Sequence, residues 1–216
     1  MPSGSRPAAA LDAVTVDGFG TLLELVDPVA GLREALAARG EERSPEQVRD
    51  AFRAEAAHYR PRSLRGGDGA GLEALRRECV AVFLEHLGAG IEPAGFVPAF
   101  VGSIVFRLAD GAAEALASLR SAGLALACVA NWDRSLHEHL ERLGVHACFD
   151  HVVASAEVGF EKPDPRIFEH VLARLRVPPA RALHIGDEAV DVEGAMAAGL
   201  RFEPVPLRTL PARLGL

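Results

Sequence analysis

Residues 12–21, DAVTVDGFGT, begin as a short apolar run and end in an acid on a glycine-flanked turn. The β-branched residues of this run are typical of a buried strand. Asp17 closes the run, and Gly18 and Gly20 let backbone amides approach a bound anion closely. A carboxylate placed there can act as a nucleophile, although the same turn also suits an Asp that only caps it.

Three further apolar runs end in polar or glycine clusters, and an amphipathic helical pattern follows each of them. The runs are 124–131, 151–155 and 181–186, and the helical stretches are 133–143, 165–176 and 189–199. Another helical pattern, over 111–122, precedes the run at 124–131. This alternation predicts an α/β fold, a doubly wound parallel sheet with helices on both faces.

Residues 28–106 carry almost no strand signal and interrupt the α/β pattern directly after its first strand. Ser44-Pro45-Glu46-Gln47 predicts a helix start, because Ser caps, Pro opens the first turn and Gln completes a capping box. Apolar residues then recur at helical spacing, at Val48, Phe52, Ala56 and Tyr59, and again at Leu72, Leu75, Cys79, Val82, Phe83 and Leu87. We therefore predict a helical domain at 26–106, inserted into a core of 1–25 and 107–216, with a mobile Arg- and Gly-rich loop at 62–71.

The composition is that of an ordinary globular chain of 216 residues, 49% of them hydrophobic and 25% charged. The net charge of −7 has the sign of a phosphate backbone and argues against nucleic-acid binding. No apolar run reaches the roughly 18 residues that a membrane span needs, and the N-terminus lacks a signal pattern. Three cysteines without metal-type spacing favour reduced thiols and a cytoplasmic location. The sequence specifies no oligomeric state.

Polar side chains stand at the ends of the other predicted strands. Asn131 ends the second run, Lys162 lies in the loop EKPDP at 161–165, and Asp187 and Asp191 follow the last run. In a parallel sheet these carboxyl ends share one edge, where ligands bind. Four residues apart at a helix start, Asp187 and Asp191 are expected to face one side and to share a hard divalent cation.

Together these motifs resemble the haloacid dehalogenase superfamily of hydrolases, in the subfamily with a helical C1-type cap. DGFGT at 17–21 is similar to its first motif, and Ala130-Asn131 falls where the family has a Ser or Thr that Asn often follows. Lys162 in EKPDPRIF resembles the third-motif lysine, and GDEAVD at 186–191 resembles the acidic fourth motif. The C-terminal half is most similar to the subgroup known as haloacid dehalogenase-like hydrolase domain proteins.

The resemblance implies a Rossmann-like core and a two-step displacement, in which Asp17 attacks a phosphoryl group and water hydrolyses the aspartyl-phosphate. It assigns catalysis to Asp17 and Lys162, and Mg²⁺ binding to Asp17, the backbone carbonyl of Phe19, Asp187 and Asp191. For the substrate, a small phosphate ester or another small anion, it implies contacts from Gly18, Thr21, Asn131 and Arg53. Cations at such a site screen the repulsion between the carboxylate and the phosphate.

Two positions depart from the phosphatase pattern of this family. Phe19 replaces a second Asp that protonates the leaving oxygen, and general acid–base help of that kind is typically worth about 10²–10⁴-fold. Ala130 replaces a hydroxyl that donates to the transferring phosphoryl group, a loss on the order of 2–4 kcal/mol by analogy with oxyanion-hole donors. We therefore expect weak phosphatase activity.

Two alternatives to a phosphatase stay open. Dehalogenases of the superfamily carry an aromatic residue at the Phe19 position, and Phe52-Arg53 with Tyr59 is similar to the cap segment in which they bind a carboxylate. In that chemistry Asp17 attacks carbon without a metal, so the retained acidic residues would repel an anionic haloacid. The other alternative is a catalytically impaired member of the family that serves as a binding protein.

Overall fold

The computed structural model describes residues 11–216, so the first ten residues of the predicted 1–25 core segment lie outside the described residues. The strands are β1 (Ala13–Val16), β2 (Leu23–Leu25), β3 (Phe106–Leu108), β4 (Ala125–Ala130), β5 (His151–Ala154), β6 (Ala182–Gly186) and β7 (Arg201–Pro204). The α-helices are α1 (Val29–Ala37), α2 (Pro45–Tyr59), α3 (Gly69–Leu87), α4 (Pro93–Ser103), α5 (Ala112–Ser121), α6 (Leu136–Arg142), α7 (Ser155–Val158), α8 (Arg166–Leu175), α9 (Ala189–Ala197) and α10 (Leu210–Arg213).

Five parallel strands form the central sheet, in the order β5-β4-β1-β6-β7. β1 lies in the middle, and Val16 near its end is in register with Cys128 of β4 and Ile185 of β6. The crossover connections between parallel neighbours carry helices, as this topology requires. The predicted α/β parallel sheet is therefore confirmed.

Helices cover both faces of this sheet. Val14 and Val16 of β1 pack in one cluster with residues of α5 and α6. Ala13, on the opposite face of the same strand, packs in a second cluster with residues of α8 and α9. Alternate strand residues thus enter different cores, which is why the central strands are apolar throughout rather than alternating.

The helices α1–α4 pack around an apolar cluster of their own, between β2 and β3 in the chain. α2 begins as predicted: Ser44 accepts from the Gln47 N–H, and the Gln47 side chain accepts from the Ser44 N–H. Phe83, Phe96 and Phe100 lie at the centre of the cluster, fully or almost fully buried. This segment therefore has the packed interior that a separately folded insertion requires.

Some elements differ from the sequence expectation. β2 and β3 pair as an antiparallel ribbon at the root of the helical segment, and β7 extends the main sheet; neither the ribbon nor β7 was predicted. The loop predicted to be mobile at 62–71 is in part a 3-10 helix, Arg60–Gly66, whose Ser63 and Gly66 are buried. Among residues 11–216, no helix combines the length and the hydropathy needed to cross a membrane.

Candidate active site

Predicted site residues from three strands meet at the carboxyl edge of the sheet. Asp17 directly follows β1, Asn131 follows β4, and Asp187 follows β6. Because β4, β1 and β6 are adjacent and parallel, these positions are neighbours in space. The Asp17 N–H donates to the Ile185 carbonyl (2.9 Å), which continues the pairing one residue past the strand and fixes the direction of Asp17.

Lys162 is the cation of the site and is almost fully buried, with 3% of its surface exposed. Its ammonium donates to Asp17 and, at 2.6 Å, to Asp191. Burial alone would lower the pKa of Lys162, but the two carboxylates raise it above its usual value. Lys162 is therefore held as a charged ammonium against the predicted nucleophile.

Asp191 is held on both of its carboxylate oxygens. One oxygen accepts from Lys162 and from His184 Nε2 (3.0 Å), and the other accepts from the Glu188 N–H (3.0 Å). Burial alone would raise the pKa of Asp191, but the hydrogen bonds from His184 and Lys162 lower it. Asp191 is thus an ionised carboxylate that orients Lys162.

Asp187 and Asp191 converge, although not as two residues of one helical turn. Asp187 precedes the N-cap residue Glu188, and Asp191 is the third residue of α9. The expectation that both stand on the first turn is therefore wrong for Asp187. Their convergence follows from the turn between β6 and α9, which brings the strand end back over the start of the helix.

Thr21 and Gly20, in the turn after β1, both lie against Asp187. The Thr21 hydroxyl donates to Asp187 (3.1 Å), and Gly20 has a φ of +86°. A side chain at Gly20 would also collide with the Asp187 carboxylate, so only glycine fits. Burial raises the pKa of Asp187, while the Thr21 hydrogen bond opposes that shift. Thr21, predicted to bind substrate, therefore uses its hydroxyl group to position Asp187.

Asn131 is likewise engaged with the protein itself. Its side-chain amide donates to the Lys162 carbonyl (2.9 Å), and its oxygen accepts from the Lys162 N–H (2.7 Å). This pair of hydrogen bonds ties the Lys162 loop to the end of β4. Asn131 therefore positions the catalytic candidate Lys162.

The three acids of the site form a candidate cation centre. Ligand oxygens of Asp17, Asp187 and Asp191 all lie within 4.8 Å of one another. Burial raises the pKa of Asp17, the charge of Asp191 adds to that shift and Lys162 opposes it. Three carboxyl groups, of which Asp17 and Asp191 are buried and Asp187 is exposed, share the site with one ammonium, that of Lys162, so acids outnumber cations there. That excess and the all-oxygen donor set fit a hard divalent cation such as Mg²⁺.

The two departures from the phosphatase pattern lie beside these acids. Ala130 is buried, and a Cβ added at Gly18 would lie only 2.9 Å from its methyl group, so the turn after β1 passes closely over the end of β4. Phe19 keeps 42% of its surface exposed. Its ring neighbours are Phe106 and Trp132. Neither Phe19 nor Ala130 offers the acid or the hydroxyl that the resemblance implies at these two positions.

Arg53 is the predicted site residue for which the structure gives no site contact. Its side chain is 71% exposed and pairs with Asp50 at 3.0 Å on the surface of α2. Another residue of that helix does reach the sheet domain: the Tyr59 hydroxyl donates to Asp133 (2.9 Å), directly after Trp132. Tyr59 therefore links the helical segment to the edge where the acids lie.

The position of His184 inside an apolar strand predicts a hydrogen-bonded core or near-site histidine rather than a ligand, and the structure confirms this prediction. The structure places it fully buried beneath Asp191, with Nδ1 near the Thr15 hydroxyl (2.9 Å) and Nε2 on Asp191. Burial lowers its pKa and keeps it neutral. A histidine seven residues before an acid carries no motif signal; only the fold brings the two together.

The family is now defined by sequence as well as by geometry. A model described as haloacid dehalogenase-like hydrolase matches residues 11–199, so the chain belongs to that family of hydrolases. The chain is accordingly a haloacid dehalogenase-family enzyme.

Two relatives show how far the sequence similarity extends. Haloacid dehalogenase-like hydrolase domain-containing protein 3 of Mus musculus is 42% identical over 102 residues, which cover 47% of this chain and 41% of that protein. The chain thus spans less than half the length of this relative. N-acetylmuramic acid 6-phosphate phosphatase of Pseudomonas aeruginosa is 31% identical over 208 residues, 90% of this chain and 81% of that protein.

Solved structures share the architecture. A structure described as a putative beta-phosphoglucomutase from Thermotoga maritima superposes with a TM-score of 0.72 at 22% identity, covering 95% of this chain and 99% of the other. L-2-haloacid dehalogenase from Xanthobacter autotrophicus gives a TM-score of 0.64 at 26% identity, covering 90% and 77%. One fold therefore serves both kinds of protein, and the choice between their chemistries rests on the site.

Proposed function

We propose that this chain is a Mg²⁺-dependent phosphatase-type hydrolase with Asp17 as its nucleophile. The observation that carries the proposal is the convergence of three carboxyl groups, two of which bind Lys162, so that the site has an excess of acidic charge suited to a divalent cation. A metal-free dehalogenase has no use for that charge. Relatives named as phosphatases, among them the Pseudomonas aeruginosa enzyme, support the same choice.

In the proposed reaction, an Asp17 carboxylate oxygen attacks phosphorus and forms an aspartyl-phosphate. The bond from phosphorus to the ester oxygen breaks, and that oxygen leaves with the electron pair. Lys162 holds Asp17 in place and offsets its charge as the phosphate dianion approaches. Water then attacks the aspartyl-phosphate, which releases inorganic phosphate and restores Asp17.

The metal would be held by Asp17, the backbone carbonyl of Phe19 and Asp187, with Asp191 assisting directly or through water. When bound, Mg²⁺ would neutralise charge on the transferring phosphoryl group and orient it for in-line attack. Asp191 already accepts hydrogen bonds on both oxygens, so its main part in the proposal is to position Lys162. Thr21 orients Asp187, and Gly18 and Asn131 border the phosphate.

The proposed activity is weak, and the reason lies in two residues. Phe19 can neither protonate the leaving oxygen nor activate the attacking water, since its side chain has no titratable group. Ala130 offers no hydroxyl to the phosphoryl group. Both steps of the reaction then lack acid–base help, which handicaps esters with poor leaving groups most.

The proposed substrate is a small phosphate ester, and the helical segment 26–106 is the proposed cap over it. The Tyr59–Asp133 hydrogen bond supports a cap in contact with the core. Cys79, Cys128 and Cys148 are all free thiols, which supports a reducing, cytoplasmic location.

Phosphate release from an aryl ester tests the proposal directly. We expect turnover with Mg²⁺, none with EDTA, and none for Asp17→Asn under either condition. Asp50→Asn, on the exposed surface of α2, is the matched control and should behave as wild type. Equal phosphate release by Asp17→Asn would overturn the proposal.

Phe19 favours a second candidate, a 2-haloacid dehalogenase in which Asp17 attacks carbon. A halide leaves without a proton, so an aromatic residue at this position costs nothing in that chemistry. Halide release from a 2-chloroalkanoate in EDTA would establish it. Release of neither phosphate nor halide would leave the binding-protein alternative.

A further inference from the structure

Phe19 is unusual among the aromatic residues of the described chain. Of the large hydrophobic side chains exposed among residues 11–216, it is the one with an aromatic ring. It follows the proposed nucleophile by two residues. An exposed ring beside the proposed nucleophile offers apolar surface that a bound ligand would cover.

The Phe19 ring contacts two other aromatic rings, those of Phe106 and Trp132. The centroids of Phe106 and Phe19 lie 6.4 Å apart with an edge-to-face angle of 90°, and Trp132 lies 6.5 Å from Phe19. The ring centroids of Phe106 and Trp132 also lie 5.0 Å apart. Trp132 is only 8% exposed, so Phe19 is the outermost ring of the three. We call these three residues the aromatic wall.

The aromatic wall joins parts of the molecule on both sides of the proposed nucleophile's turn. Phe106 comes from the ribbon at the root of the helical segment, and Trp132 follows the end of β4. Asp133, next to Trp132, accepts the Tyr59 hydrogen bond from α2. The wall therefore connects the turn that bears Asp17 with the root of the helical segment. In-line attack by Asp17 sends the leaving group away from its carboxylate, and we infer that it leaves toward the wall and the proposed cap.

We propose that the aromatic wall is a leaving-group subsite that selects phosphate monoesters of aromatic alcohols. The inference rests on the proposed phosphatase function. Edge-to-face and stacked contacts with Phe19 would bind an aryl group in preference to an alkyl group of equal size. The same residue removes the general acid, which aryl esters need least.

The chemistry of the leaving group matches the missing acid. A phenol ionises near pH 10, as tyrosine does, whereas alkyl alcohols resemble water and are far weaker acids. In the first step the Asp17–phosphorus bond forms and the phosphorus–aryl oxygen bond breaks. The electron pair stays on the phenolate oxygen, which takes its proton from solvent after release. No side chain at position 19 has to donate one.

Binding without turnover is the first arm of the test. Phenylphosphonate and cyclohexylphosphonate are titrated with Mg²⁺ present, and the fluorescence of Trp132, the single tryptophan of the chain, reports binding. We expect the phenyl compound to bind on the order of 3- to 10-fold more tightly. Phe19→Leu should abolish this preference, while Met196→Ala, which shortens an exposed side chain on α9, should keep it. Equal affinities in the wild type would overturn the subsite.

Turnover is the second arm and separates the two proposals. Wild type should hydrolyse phenyl phosphate far faster than cyclohexyl phosphate, and Phe19→Asp should raise turnover of the cyclohexyl ester. If wild type hydrolyses both esters equally with Mg²⁺, the phosphatase stands and the aromatic subsite is wrong. If neither ester is hydrolysed while the phenylphosphonate preference persists, the subsite stands as a binding site and the phosphatase is wrong.

Discussion

Lys162 is the single lysine of a chain in which every other member of the Lys and Arg set is an arginine. Its compact ammonium fits between Asp17 and Asp191 with almost no exposed surface. A guanidinium is planar and larger, and it presents its donors in a fixed fork. The site therefore requires a lysine and not merely a positive charge.

Lys162→Arg is expected to behave as a severe substitution. Removing the matched partner of two buried carboxylates should lower the free energy of unfolding by roughly 3 kcal/mol and phosphatase turnover by on the order of 100-fold. Urea unfolding and steady-state assays measure the two effects. Arg142→Lys, at an exposed position on α6, is the control. An active, fully stable Lys162→Arg enzyme would show that charge alone suffices.

The strand-end residues could be predicted from sequence, and their partners could not. Asp17, Asn131 and Asp187 each follow an apolar run, so a parallel sheet brings them to one edge. The hydrogen bonds from Thr21 to Asp187 and from His184 to Asp191 join residues far apart in sequence or without a motif, and only the packed structure pairs them. Sequence therefore located the acids but left open what orients them.

For helix α2, the sequence predicts the start correctly but not every residue of the buried face. Its N-terminal cap is as predicted, and Val48 is buried. The helix also buries Glu55, which sequence reasoning passed over because a glutamate normally marks the solvent face. Cys79 of α3 lies beside the Glu55 carboxyl group and opposes part of the rise in its pKa that burial causes. Tertiary packing of α2 on α3 thus overrides the hydrophobic pattern.

Glu55 makes stability depend on pH. Burial raises its pKa from 4.5 to about 7, so the folded state holds a proton that the unfolded chain has lost. Stability is therefore greatest at low pH within this window and falls as pH rises through about 7. Between pH 5.5 and 8 the contribution of Glu55 should fall by about 2 kcal/mol.

Urea unfolding across that pH range measures the effect. Glu55→Gln cannot ionise and should flatten the dependence, whereas Glu73→Gln, on the exposed side of α3, should keep it. A Glu55→Gln profile as steep as that of the wild type would assign the pH dependence to other groups.

The short strands β2, β3 and β7 could not be predicted for a related reason. Each has three or four residues, which is too few for alternation to be distinguished from a loop. Their pairing depends on neighbours that the fold supplies: β7 completes the sheet edge beside β6, and β2 and β3 close the root of the helical segment.

Across the whole molecule, segment 59–67 of the helical insertion makes the contacts that attach it to the sheet domain. The Tyr59 hydroxyl donates to Asp133, and the Arg134 N–H donates to the Gly66 carbonyl at 3.1 Å. Gly67 lies so close to the Ala156 carbonyl that an added Cβ would collide with it. Backbone and side-chain contacts together fix the insertion over the edge where the acids lie.

Gly67→Ala is expected to loosen this junction. The new methyl group must displace backbone of the sheet domain, so the 3-10 helix Arg60–Gly66 should loosen and its backbone at Arg62 and Arg65, whose side chains are already exposed, should become accessible to trypsin. Gly102→Ala, where an added Cβ meets nothing within 4 Å, is the matched control. Mass spectrometry of limited digests should show faster cleavage at these arginines for Gly67→Ala alone. Equal cleavage rates would mean that the junction does not depend on this contact.

The proposed phosphatase reaction phosphorylates Asp17, and trapping that aspartyl-phosphate is its most decisive test. Because Phe19 cannot activate water, the aspartyl-phosphate should break down slowly and accumulate with an aryl phosphate and Mg²⁺. Acid quenching followed by mass spectrometry should then show one phosphoryl group on wild type, located at Asp17, and none on Asp17→Asn or in EDTA. Aryl phosphate turnover with no phosphoryl group on Asp17, or with the group on another residue, would contradict the account.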